Sequence, residues 1–189
     1  MTAEKHHVRT HARIARLGIA AEARLAASEA AAARALALPH IAGARGVLAY
    51  AATTEEIDPA PVVARLRAVG ARIAYPRVCG PGEIALHWAE DEELTPGYCG
   101  ILEPADDAPV ADPADIDLVL VPGVAFDEEC HRLGMGGGFY DRLLPRLHAG
   151  AVSVGLAFDE QIVERVPREE HDVRLDAVVT PGRTVQPAQ

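Results

Sequence analysis

Long apolar runs are missing from this sequence. Nowhere do roughly 18 consecutive apolar residues occur, so no segment reads as a membrane-spanning helix. Cysteine is scarce: Cys79, Cys99 and Cys130 are too few and too scattered for a disulfide framework or a zinc motif. They read as reduced thiols in a cytoplasmic protein. Positive charge is in short supply as well. Against 28 acidic side chains stand 18 Lys and Arg, a formal net charge of −10, which argues against a general nucleic-acid surface. Any anionic ligand must then be met by a local gathering of cations and backbone N–H groups. There is no internal repeat, and no targeting segment is expected. Residues 1–28 are rich in Arg and Ala, but Glu4 and Glu22 interrupt the basic run and no apolar signal core follows.

What remains is 189 residues and 20.0 kDa, enough for one globular domain over residues 1–189 with a sizeable core. Residues 3–16 and 22–38 have helical character, parted by Gly18 and stopped by Pro39. Residues 46–50 read as a strand. Residues 59–69 read as a helix with Val62, Val63, Leu66 and Val69 on one side. Residues 71–75 then form a strand ended by Pro76, an order that implies a parallel crossover. Further strands are expected at 84–88, 117–121, 151–158 and 175–180. Helices are expected at 139–148, kinked or shortened by Pro145, and at 159–166. The pattern is that of an α/β fold.

One stretch is unusual. Residues 132–142 read Arg-Leu-Gly-Met-Gly-Gly-Gly-Phe-Tyr-Asp-Arg, between an apolar strand and a helical segment. Glycine tolerates positive φ and close approach of a ligand to the main chain. Successive N–H groups can form an anion nest, aided by the start of a helix, and Arg132 adds a permanent charge with a planar fork of donors. No Gly-Lys-Ser/Thr follows, so this is not a Walker loop, and the glycines are too crowded for a dinucleotide fingerprint. Elsewhere the residues leave alternatives open. Lys5 and Arg9, four apart, share one helical face, which on spacing alone is a solvated basic face. Glu55, Glu56 and Asp58 lie where a first strand ends, a place where α/β sheets bind ligands, yet they also suit a solvated loop. His171-Asp172 reads equally as a loop before the last strand.

The string from Val121-Pro122-Gly123-Val124-Ala125-Phe126-Asp127 through Arg132 to Arg142 resembles the 5-formyltetrahydrofolate cyclo-ligase (methenyltetrahydrofolate synthetase) family. The resemblance extends from Lys5 to Asp172. It includes a Lys-x-x-x-Arg at Lys5 and Arg9, a Glu-Ile-Asp at Glu56, a Gly-Ile-x-Glu-Pro at Gly100 and a His-Asp pair at His171. Two positions depart from it: Cys99 stands where an aromatic is common, and Cys130 where glycine is usual. Tyr98 is a candidate to replace the aromatic, and Cys130 is read as a variable loop position.

The resemblance implies a single-domain, three-layer, Rossmann-like sandwich with a mostly parallel sheet and helices on both faces. It implies an ATP- and Mg²⁺-dependent enzyme that cyclises 5-formyltetrahydrofolate, polyglutamylated or not, to 5,10-methenyltetrahydrofolate with release of ADP and phosphate. It assigns ATP to Lys5, Arg9, Arg132, Leu133, Gly134, Met135, Gly136, Gly137, Gly138, Phe139 and Tyr140. The folate falls to Ala51, Glu56, Met135, Gly136, Gly137, Gly138 and Phe139. Arg132 and Tyr140 carry the catalytic role, and Asp141 and Asp172 the metal. Neither nucleic acid nor membrane is an expected partner. The competing readings are a sugar-phosphate or coenzyme A enzyme using the same loop, and a catalytically silent binder of nucleotide or folate.

Overall fold

Alternating residues of the short apolar runs face opposite sides of a sheet, and this decides how the chain folds. In a computed structural model, which describes residues 3–187, Val47 and Ala49 face one core and Leu48 the other; Leu118 and Leu120 face the first, Val119 and Val121 the second. Strands buried on both faces need cover on both, which is the reason parallel sheets carry helices on each side.

In chain order the helices are α1 (Ala3–Leu17), α2 (Ala21–Leu36), α3 (Pro39–Ala42), α4 (Ala60–Ala68) and α5 (Phe139–Leu143). The strands are β1 (Gly46–Leu48), β2 (Arg72–Gly80), β3 (Glu83–Trp88), β4 (Thr95–Pro96), β5 (Leu102–Glu103), β6 (Leu118–Val121), β7 (Ala125–Asp127), β8 (Arg132–Leu133), β9 (Val152–Leu156), β10 (Ile162–Val163), β11 (Ala177–Val179) and β12 (Thr184–Val185). The central sheet runs β12-β11-β9-β6-β1-β2-β3. Its inner pairs are parallel, and only β12 and β3 at the edges are antiparallel. The expected α/β sandwich with a mostly parallel sheet is therefore what forms.

Small side chains of α2 (Ala31, Ala32, Ala35), with Ile41 of α3 and Val62, Val63 and Leu66 of α4, pack on one face. On the other, Leu143 of α5 and Phe126 of β7 meet Leu48, Val119, Val121 and Val178. Each large apolar side chain removed from water contributes about 1.5–3 kcal/mol. Among the described residues no helix is long and apolar enough to cross a membrane.

The strand order reverses between β1 and β6, which makes the crevice above their carboxyl ends the place for a ligand. Tyr50 and Ala51 follow β1 there, and Pro122 and Gly123 follow β6.

Several expectations need correction. Pro39 does not simply stop a helix; it opens α3 at a first-turn position, where its missing N–H is harmless. Strand β2 continues through Pro76 to Gly80. The carbonyl of Ala74 accepts from Ala49 on the β1 side, whereas that of Ile73 accepts from Ala89 on the β3 side. By alternation the Pro76 nitrogen faces the β1 side, two residues beyond the last Leu48–Ala74 pair, so no ladder bond is lost. Residues 159–166 form a 3₁₀ turn (Asp159–Gln161) and then β10, in place of a helix. The helix expected at 139–148 is the five-residue α5 followed by a 3₁₀ turn containing Pro145. A hairpin of β7 and β8, paired with β10 in a small separate sheet, sits between β6 and the glycine loop.

Cys130 turns this hairpin. It is fully buried and has φ 62, a left-handed conformation that disfavours any residue with a Cβ. It is thus a constrained position, contrary to the reading of a variable one, and burial pushes its thiol up to about 11.

Candidate active site

The amphipathic face of α1 is cationic where a helix would ordinarily be apolar. At 100° per residue, positions 5, 9, 12 and 16 fall within about 60° of one another, and Lys5, Ala12 and Arg16 are buried. Ala12 and Val8 rest on the small sheet, against Val124, Ala125, Leu133 and Val166. The cations reach past it. Arg9 Nε donates to the Gly134 carbonyl at 2.8 Å. Lys5 Nζ lies 2.6 Å from Asp172 Oδ2 and 2.9 Å from Glu169 Oε2. Burial works against the Lys5 charge, but the bonds and charges of Asp172 and Glu169 outweigh it and raise its pKa. Burial likewise opposes ionisation of Asp172, and Lys5 with the Glu169 amide more than compensates, lowering its pKa.

The glycine loop joins β8 to α5. Gly136 has φ 110 and Gly138 φ 63, so two of its four glycines need conformations that other residues rarely adopt. A Cβ at Gly137 would come within 2.6 Å of the Phe139 ring, so that position is closed by packing. Arg142 holds the loop from outside, donating to the carbonyls of Gly137 and Gly82. Because α5 is only five residues long, its dipole is weaker than the expected helix would have supplied.

Arg132 is buried under this loop. Its Nη2 is 2.8 Å from Asp141 Oδ2, its Nη1 reaches the Pro122 carbonyl at 3.4 Å, and its Cζ lies 5.4 Å from the centre of the Tyr140 ring. Asp141 Oδ1 accepts from the Val173 amide at 3.3 Å, one residue past Asp172. The two acids that the resemblance assigns to metal thus both line the cleft, each balanced by a cation. Three buried donors on residues that line this space have no hydrogen-bond partner among the described residues: Arg9 Nη1, Arg132 Nε and the Tyr140 hydroxyl. An unsatisfied buried donor costs about 1–3 kcal/mol, a cost that a ligand accepting from these groups would relieve. Burial holds the Tyr140 phenol well above the usual tyrosine range, with Arg132 opposing the rise and Glu56 adding to it.

These groups open onto one cleft of about 520 Å³. Every residue that the resemblance assigned to a site lines it: Lys5, Arg9, Ala51, Glu56, the whole run from Arg132 to Asp141, and Asp172. Glu56 Oε2 accepts from the Thr53 amide and hydroxyl, both at 3.0 Å. Tyr98 stands edge-on to Phe139, ring centres 6.3 Å apart, with Cys99 beside it in the cleft wall.

Sequence reasoning missed the apolar side of this cleft, made by Tyr50, Pro76, Val78, Ile84 and Leu102. Only Leu102 falls in a quoted motif, as the variable position of Gly-Ile-x-Glu-Pro, and Val78 joins the wall because β2 runs on past Pro76. Glu169 was missed too, although it lies three residues before Asp172 on the same loop.

Magnesium takes oxygen ligands and commonly reaches phosphates through one or two carboxylates. The carboxylates of Glu169 and Asp172 fit that chemistry: with a ring nitrogen of His171 their ligand atoms lie within 4.8 Å of one another, and all three residues line the cleft. Asp141 is not in this group, and both its oxygens are engaged by protein donors.

The sequence model of the 5-formyltetrahydrofolate cyclo-ligase family matches residues 1–181. The chain is 38% identical over 159 residues to the 5-formyltetrahydrofolate cyclo-ligase of Escherichia coli, covering 81% of this chain and 87% of that one. The solution structure of 5,10-methenyltetrahydrofolate synthetase from Aquifex aeolicus superposes with a TM-score of 0.84 at 32% identity, over 98% of this chain and 93% of its own. The structure of the Mycoplasma pneumoniae 5,10-methenyltetrahydrofolate synthetase shares the fold, with a TM-score of 0.78 at 21% identity over 94% of this chain and 99% of that one.

Proposed function

The chain belongs to the 5-formyltetrahydrofolate cyclo-ligase family, and from that premise we propose that it closes 5-formyltetrahydrofolate to 5,10-methenyltetrahydrofolate at the expense of ATP. The observation that carries this reading is one cleft lined by the cations of α1 and β8, the glycine loop and apolar residues of β2, β3 and β5, with a buried donor on each of Arg9, Arg132 and Tyr140 left without a partner among the described residues. A polyanion beside a flat, largely apolar ring system matches that division.

In the proposed reaction the formyl oxygen attacks the γ-phosphorus and ADP leaves, converting a poor leaving oxygen into a phosphate ester. N10 then attacks the activated carbon and gives up its proton. The C–O bond breaks with loss of inorganic phosphate, leaving carbon bridged between N5 and N10. Work of this kind falls mainly to positioning and to stabilising charge on the transferred group. Lys5, Arg9, Arg132 and the amides of the glycine loop hold the phosphates. Tyr140, kept protonated by burial, remains a hydrogen-bond donor at neutral pH. Glu56 and Ala51 meet the folate at the end of β1, and Met135 to Phe139 form the wall between the two substrates. Asp172 and Asp141, with Glu169 near by, are the groups to hold Mg²⁺, whose part is to neutralise phosphate charge. A cytoplasmic setting and a single domain over residues 1–189 belong to the same proposal; Cys79, Cys99 and Cys130 are all unpaired.

The test is stoichiometry. ADP release should require 5-formyltetrahydrofolate and should match methenyl product one for one. ADP formed equally without the folate would show a phosphohydrolase and would contradict the proposal.

A further inference from the structure

The loop that presents Glu56 is tied to the N-terminal helices by side chains outside the cleft. Arg16, on the inward stripe of α1 with Lys5 and Arg9, is 3% exposed, and its Nη2 lies 2.9 Å from Glu55 Oε2. Arg24 of α2 donates to the Thr54 carbonyl and, at 3.3 Å, to that of Arg16. Ser28 Oγ accepts from the Asp58 amide at 2.9 Å. On the inner side the Tyr50 hydroxyl donates to the Ile57 carbonyl at 2.6 Å. Thr54, Glu55, Ile57 and Asp58 are thereby engaged, and Thr53 and Glu56 bond to each other. Glu55 and Glu56 are neighbours with opposite tasks, one drawn back to α1 and the other facing the cleft.

Only the arginine of this pair is buried, Glu55 being partly exposed, and such a pair is a weak device for stability, because desolvating the guanidinium offsets much of the attraction. Here the pairing is also incomplete: Arg16 Nε is buried without a hydrogen-bond partner among the described residues. An apolar side chain at position 16 would fill the space between α1 and the loop at less desolvation. The buried guanidinium does what an apolar residue cannot, by fixing one carboxylate of an otherwise polar loop at a defined distance from the helix that carries Lys5 and Arg9.

We propose that Arg16 and Glu55 are positioning residues that orient Glu56 toward the folate, with α1 as the shared support for the nucleotide and folate ends of the cleft. The proposal rests on the reading of Glu56 as a folate contact. It concerns residues that touch neither substrate.

The experiment compares wild type, Glu55→Ala and the double variant Arg16→Met/Glu55→Ala. The readouts are thermal unfolding, calorimetric binding of 5-formyltetrahydrofolate without ATP, and steady-state kinetics. Loss of one orienting contact should raise the folate Kd and KM of Glu55→Ala about tenfold, with kcat and the ATP KM within about twofold, the pattern of lost ground-state binding. The double variant removes the stranded Arg16 charge and should regain melting temperature while keeping the raised folate KM. Unchanged folate binding in Glu55→Ala would overturn the positioning role. So would a double variant whose folate KM returns to the wild-type value, since the stranded charge would then be the cause. Wild-type protein that fails to bind the folate at all would remove the premise, an outcome distinct from either.

Discussion

Replacing Arg132 by lysine separates charge from geometry at the centre of the cleft. The arginine places Nη2 on Asp141 at 2.8 Å and Nη1 on the Pro122 carbonyl at 3.4 Å, and its Nε is buried with no partner among the described residues. A lysine ammonium is a single point charge on a flexible stem. It can keep the Asp141 pair or turn to a phosphate oxygen, and the buried carboxylate next to it favours the first choice. The fold should therefore survive, because the ion pair is kept. What is lost is a charge-assisted hydrogen bond to the ligand, worth about 1.5–3 kcal/mol. At a factor of ten per 1.4 kcal/mol, kcat/KM for ATP should fall about tenfold to a hundredfold. Initial rates of methenyl formation at varied ATP, read beside a thermal melt, give both numbers. A folded lysine variant with wild-type kcat/KM would refute the argument that the fork of Arg132 serves the ligand. A collapse in melting temperature would show instead that the planar fork holds the hairpin together.

Three further outcomes follow from the geometry. Gly136→Val should obstruct the loop, since φ 110 is costly for a β-branched residue by roughly 1–2 kcal/mol or more; normal ATP KM and turnover would make the glycine a mere spacer. Asp141→Asn should shift the Mg²⁺ titration of activity to higher concentration and loosen Arg132, whereas an unaltered titration would remove Asp141 from the metal site. Asp117 carries the clearest pH prediction. Its carboxylate accepts from the amides of Gly46 and Arg45 at 2.9 and 2.8 Å, stapling β1 to β6. The Gly46 bond leads the lowering of its pKa, with burial opposing and Arg45 assisting. A carboxylate with a lowered folded-state pKa contributes stability that is complete above the ordinary aspartate range and is lost as pH falls through the lowered value. Asp117→Asn should flatten that acid limb of a melting-temperature profile, and a limb of unchanged steepness would assign it to other groups.

The sequence made the inner strands and the glycine loop easy to find, because double-sided burial leaves unbroken apolar runs and four glycines in five positions leave little choice. Lys5 and Arg9 were legible as a pair on one face, but not as an inward face. Nothing in the spacing says that a cationic stripe will be buried, and Arg16 therefore escaped notice. Proline misled twice, at Pro39 and Pro76, because its effect depends on which way its missing N–H would point, a tertiary fact. The β7–β8 hairpin was invisible because its strands are two and three residues long, too short for any period to register. Cys130 shows the reverse case. The position where glycine is usual turned out to keep the left-handed backbone that glycine would suit, so the departure changed the side chain and left the turn.

The central claim is that this cleft joins ATP chemistry to closure of a folate ring. Purified protein with 5-formyltetrahydrofolate and Mg²⁺, followed in the near ultraviolet where the conjugated methenyl bridge absorbs, tests it most directly. The account predicts an absorbance rise that begins only when ATP is added. Folded protein that gives no rise with ATP present, under conditions where methenyltetrahydrofolate persists, would contradict it.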